Sequence, residues 1–156
     1  MKDTRHLRNL VLWMSAALLC LALPATAQDP QGVWLTEDGD AKIEIRTCDD
    51  TLCGKIVWLE EPNEENGEPK LDDDNPNPEL RTRPLLGLEL LSGFPTKPNK
   101  KGVYEGGKIY DAESGKTYSC HMSFKDEDTL KIRGYVGISL LGRNTMWSRS
   151  THDGAS

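Results

Sequence analysis

The sequence has no excess of basic residues, little histidine and no long apolar run. Lys and Arg number 19 against 25 Asp and Glu, a formal net charge of −6. A nucleic-acid binder needs a basic face to displace counterions from phosphates, so this balance argues against that class. Three histidines and four cysteines leave little material for a metal cluster. The longest apolar run, Leu10 to Leu23, has 14 residues, short of the roughly 18–20 that cross a bilayer. The sequence contains no G-x-S-x-G elbow, no H-E-x-x-H and no dinucleotide fingerprint. Apolar residues make up 37%, lean for a globular chain but above the disordered range.

What is present begins with a leader. Lys2, Arg5 and Arg8 precede the apolar run, Pro24 ends it, and Ala25-Thr26-Ala27 supplies small residues before Gln28. This is the three-part pattern of a secretory signal peptide with an A-x-A cleavage site. Residues 1–27 are therefore expected to be removed, which gives a periplasmic or secreted location. Their loss leaves 129 residues, 16 basic and 24 acidic, with a net charge of −8. No membrane span remains after cleavage. Cys20 leaves with the leader, and Cys48, Cys53 and Cys120 stay.

The remaining chain alternates with period two. Strands are expected at Val33–Leu35, Ala41–Arg46, Lys55–Leu59, Leu85–Leu91, Val103–Tyr104, Lys108–Tyr110, Thr117–Phe124, Leu130–Arg133 and Asn144–Ser150. Leu86, Leu88 and Leu90 read as one side of the fourth. Asp49-Asp50, 111–115 and 125–128 read as turns. Between Glu60 and Pro84 stand five prolines and eight acids from Glu60 to Asp74, a density that neither helix nor central strand tolerates. This stretch reads as a long surface loop, with one helical turn at Pro78-Glu79-Leu80 capped by Asn77. No amphipathic helix is evident. The fold expected is all-β, an antiparallel barrel of about eight strands over residues 28–150, with a frayed tail at 151–156.

Several motifs follow one family's pattern in order. They are Gly32-x-Trp34, Cys48-x4-Cys53-Gly54-Lys55-Ile56-Val57-Trp58, Asp74-Asn75-Pro76-Asn77-Pro78, Arg81-x-Arg83-Pro84-Leu85-Leu86-Gly87, Gly107-x-x-Tyr110-Asp111, Gly115-Lys116-x-Tyr118, Leu130-x-Ile132-x-Gly134-Tyr135 and Leu141-Gly142-Arg143-x-x-x-Trp147-x-Arg149. Together they resemble the small secreted bacterial family catalogued as domain of unknown function 2147. The resemblance implies export and a β-rich barrel, and it implies no established activity. A fainter resemblance is to lipocalin-like barrels, which open with G-x-W and pack an Arg of the last strand across that Trp. It implies structural roles for Trp34, Trp147 and Arg149, with the guanidinium within about 6 Å of the indole.

The chemistry-bearing residues admit plain readings beside functional ones. Cys48 and Cys53 straddle a turn, and four intervening residues can return the chain to the roughly 5.5 Å that a disulfide needs. Export supplies the oxidising compartment. Cys120 lies on the apolar face of its strand and reads as a buried thiol. Its neighbour His121 points to the opposite face and cannot serve as its base. Asp73-x-Asn75-x-Asn77 begins like a calcium loop, but Pro78 and Pro84 stand where an EF-hand needs Gly and Glu. An irregular calcium site or a solvated acidic loop remains. Gly102-x4-Gly107-Lys108 spells most of a phosphate loop, with Ile109 in place of Ser or Thr and no helix to follow.

Arg81 and Arg83 either offer a fork to an anion or pin the acidic loop to the barrel. Trp58, Tyr110, Tyr118, Arg133 and Tyr135 complete the candidate ligand wall, or are ordinary packing. No cofactor or metal is expected, and no catalytic set stands out. The leading reading is a non-catalytic binder of a small or lipid-like ligand or envelope component. A binder should hold an internal cavity of at least about 300 Å³, and a filled barrel without one favours the interaction role. The alternative is a structural or protein-interaction role in the envelope with a filled barrel. A hydrolase acting on a cell-wall or lipid substrate comes third. The oligomeric state is not readable from the sequence.

Overall fold

A computed structural model describes residues 28–152; the leader expected at 1–27 lies outside them. Eight antiparallel strands close into a barrel in sequence order. They are β1 (Gly32–Leu35), β2 (Ala41–Cys48), β3 (Thr51–Leu59), β4 (Glu89–Pro95), β5 (Val103–Asp111), β6 (Lys116–Asp126), β7 (Thr129–Tyr135) and β8 (Arg143–Ser150). Every connection is a hairpin or a loop between neighbours, and β1 pairs with β8 to remove the last free edges. Alternation sends one residue in two inward. Trp34, Ile43, Ile45, Ile56, Leu91, Phe94, Met122, Leu130, Ile132 and Trp147 fill the interior.

The structure moves one expected strand. Leu85–Leu88 is a turn, closed by the bond from the Leu88 N–H to the Leu85 carbonyl. Gly87 sits there at φ 91°, a conformation that L side chains avoid. Leu86 is consequently half exposed, and β4 runs on to Pro95 so that Leu91 and Phe94 reach the core. Phe94 lies where a side chain at Gly107 would be, which is why the β4–β5 wall needs glycine at that position. The two short strands expected near 103 and 110 are one strand, interrupted by a register shift between Tyr104 and Gly107.

Residues 28–31 and the end of β8 meet at one end of the barrel, which is closed. Trp34 is fully buried and donates its indole N–H to the Pro30 carbonyl at 2.8 Å. Arg149, its register partner on β8, places its guanidinium carbon 4.4 Å from the ring centroid. Arg149 also donates to the carbonyls of Asp29 and Gln31. Opposite this plug, the connections β1–β2, β3–β4, β5–β6 and β7–β8 surround the open end.

Cys48 and Cys53 form a disulfide across the β2–β3 hairpin, with Cα atoms 5.8 Å apart. Asp49 makes the intervening turn at φ 51°. The bond fits an oxidising compartment.

Candidate functional site

The open end holds a recess of about 490 Å³, lined by Asp111, Ser114, Tyr118, Gly134, Tyr135, Val136 and Arg143. Register explains how these residues meet. Cys120 is buried in the core and pairs with Gly134, which in turn pairs with Arg143. Arg143, Thr145, Trp147 and Arg149 alternate onto one face of β8, and buried Trp147 marks that face as the inner one. One strand thus carries an arginine at each end of the barrel. Arg149 is occupied by the plug. Arg143 makes no ion pair with any described residue and faces the recess.

The opposite wall is set by the β5–β6 turn. The Asp111 carboxylate accepts from the Glu113 N–H at 3.1 Å and from the Ser114 hydroxyl at 2.6 Å. These bonds fix the turn and leave Asp111 a bound acid. The floor is hydrophobic and filled, so the recess is a mouth above a packed interior rather than a through-barrel cavity.

Of the residues singled out from sequence, Tyr118 and Tyr135 line this mouth. The Tyr135 ring also lies 5.7 Å from that of His121. Arg133 is placed elsewhere: it donates to the Ser139 carbonyl at 2.7 Å and to the Asn144 side chain at 2.8 Å, bracing the β7–β8 connection. Trp58 pairs in register with Lys42, whose ammonium lies 5.4 Å from its ring. Lys42 is buried, with its ammonium donating to the Thr151 carbonyl at 3.3 Å, so this pair is packing apart from the recess.

Arg81, Arg83 and Tyr110 belong to a second cluster, the anchor of the β3–β4 connection. Asp72 is completely buried there. It accepts from the Tyr110 hydroxyl at 2.6 Å, the Asn75 amide at 2.8 Å and the Arg83 guanidinium at 2.7 Å. Burial pushes the Asp72 carboxyl up, but these three bonds and the Arg83 charge together outweigh it and hold it below its ordinary value. Burial and the bond to Asp72 raise Tyr110. Arg81 donates to the Asn75 carbonyl at 2.7 Å. The Asn75 and Asn77 side-chain oxygens accept the N–H groups of Asn77 and Glu79, and Asn77 caps the short turn Pro78–Leu80. The resemblance to a calcium loop is explained by these local turns.

In the recess the Ser114 hydroxyl is bonded to the Asp111 carboxylate, and the lining includes neither histidine nor cysteine. The Cys120 thiol is enclosed, and burial pushes it up to about 12. His121 lies on the outer face opposite Arg133, and burial, with the Arg133 and Lys131 charges, lowers it. Arg143 and Asp111 are the recess residues that sequence reading missed. Arg143 was within reach, since it is six residues from Arg149 on one strand and so shares its inner face.

The chain matches a bacterial family model described as "Uncharacterized protein conserved in bacteria (DUF2147)" over residues 32–149. A solved structure with the same fold is described as "Protein HP1028 from the human pathogen Helicobacter pylori belongs to the lipocalin family". That protein is 24% identical, with a TM-score of 0.66 over 78% of this chain and 82% of its own. No curated protein matches the chain. The barrel is therefore lipocalin-like in fold.

Proposed function

The chain belongs to the bacterial DUF2147 family, and from that premise we propose that it is an exported, non-catalytic binding protein. In this reading residues 1–27 are removed, 28–150 form the working domain, and the periplasm or exterior is its location. Its ligand is small or lipid-like and sits in the barrel mouth. The observation that carries the reading is Arg143, an inward-facing charge without an ionic partner among the described residues, at the rim of a 490 Å³ recess. With the Asp111 carboxylate held by the Glu113 N–H and the Ser114 hydroxyl, Arg143 at the rim suits a ligand with an acidic or polar head. Tyr118 and Tyr135 then serve as wall, while Trp58, Arg81, Arg83, Tyr110 and Arg133 act through the scaffold.

Native mass spectrometry on protein isolated from its own envelope tests this. The expected spectrum carries an added mass of small-molecule size, which Arg143→Glu diminishes. Bare protein from every preparation, with no thermal shift from a panel of amphiphiles, defeats it. The packed interior below the recess favours a second reading, an interaction role in the envelope. That reading survives if the bare protein is captured by an envelope partner.

A further inference from the structure

The β7–β8 connection, residues 136–142, contains no charged residue. Three of its apolar side chains are exposed: Val136, at the edge of the recess, by 68%, Ile138 by 60% and Leu140 by 83%. The other large exposed apolar residues, Leu71, Leu80 and Leu86, are scattered along the charged β3–β4 connection. The apolar loop is also held in shape. The Gly142 N–H bonds to the Ser139 carbonyl, and Arg133 bonds to Ser139 and Asn144. Arg133 and Arg143 stand at its two feet. The side-chain acceptors of Arg133 are neutral, and neither arginine has a carboxylate partner among the described residues. The result is a fixed apolar tip above a cationic collar.

We propose that this loop is a contact site for an anionic lipid surface. Ile138 and Leu140 enter the outer acyl region while the collar meets headgroup phosphates, the division that interfacial anchors use. Charge favours this occupant over a second copy of the chain. A two-fold contact through the same loop would bring each collar against its own image. The acidic β3–β4 connection stands across the mouth, and of the nearer acids Glu37 accepts from the Met146 N–H and Asp111 from the Glu113 N–H and the Ser114 hydroxyl. This inference shares Arg143 with the ligand reading but is tested at Ile138 and Leu140, which are not among the recess lining.

The test is co-sedimentation of the purified protein with vesicles. Protein whose mass shows that it begins at Gln28 is used, so that the apolar stretch 10–23 contributes nothing. Binding is expected to phosphatidylglycerol–phosphatidylethanolamine vesicles, weakened by salt and at least about fivefold weaker to phosphatidylcholine. The Ile138→Ser/Leu140→Ser variant should lose about tenfold or more in partitioning, with its thermal midpoint unchanged. Failure to bind anionic vesicles overturns the proposal. So does equal binding by the variant, or equal binding to neutral and anionic vesicles. A concentration-dependent dimer that the variant abolishes would assign the loop to a second copy and overturns it too.

Discussion

Two connections face each other across the barrel mouth and solve opposite problems. The β3–β4 connection is long, acidic and rich in proline, yet it is fastened. Asp72 is buried against Tyr110, Asn75 and Arg83, and a side chain at Gly115 would collide with the Asp74 carbonyl. The β7–β8 connection is short and uncharged, yet its apolar side chains face outward. Hydropathy alone would reverse these positions. The difference shows that a buried, fully bonded carboxylate can order a loop of polar composition.

The contrast can be broken most strongly at Asp72. Replacing it with Ala leaves Tyr110, Asn75 and the Arg83 charge without their shared acceptor, at a cost of about 2–4 kcal/mol. Urea unfolding should show the loss, and limited proteolysis should cut within 60–84. Arg83→Gln is milder. Arg83 is more than a third exposed, so solvent screens its charge, and about 1 kcal/mol is expected in the same measurement.

Acid should act on the same point reversibly. The folded Asp72 carboxyl lies below its ordinary value of 3.8, so its contribution is complete above that value. It is lost as pH falls through the lower, folded value. Protease sensitivity of 60–84 should therefore rise below pH 3.8 and not in the neutral range. The smallest effect belongs to the other loop. Ile138→Ser with Leu140→Ser should change urea stability by less than about 0.5 kcal/mol, because both are largely in water already. A large loss there would mean that the loop packs on something essential.

The barrel itself was legible because its signals are local. Alternation in 117–124 and 41–46, the Cys48–Cys53 spacing, and the Asn77-Pro78 cap all depend on near neighbours. Strand β4 was misplaced because Leu85–Leu91 carries an apolar spacing that a turn at Gly87 interrupts. The partners that interrupt it, such as the Ile56 carbonyl accepting from the Gly87 N–H, are distant in sequence. The mouth was hardest to read. Tyr118 could be read as wall, and the spacing from Arg149 gives Arg143 its inner face, but its place beside Gly134 and Cys120 comes from register across three strands. Arg83 and Tyr110 were chemically suggestive, and both are directed at the buried Asp72.

The closed end has a consequence for how the chain must be trimmed. Four backbone carbonyls between Gln28 and Gln31 receive bonds from the body of the barrel. Gln28 accepts from the Tyr104 hydroxyl, Pro30 from the Trp34 indole, and Asp29 and Gln31 from Arg149. The first residues after the expected cleavage site are thus building material and not a spacer. A peptidase that cut a few positions further along would remove the acceptors that hold the Trp34 and Arg149 side chains in place. If residues 1–27 are removed as proposed, maturation and architecture share a boundary at Gln28.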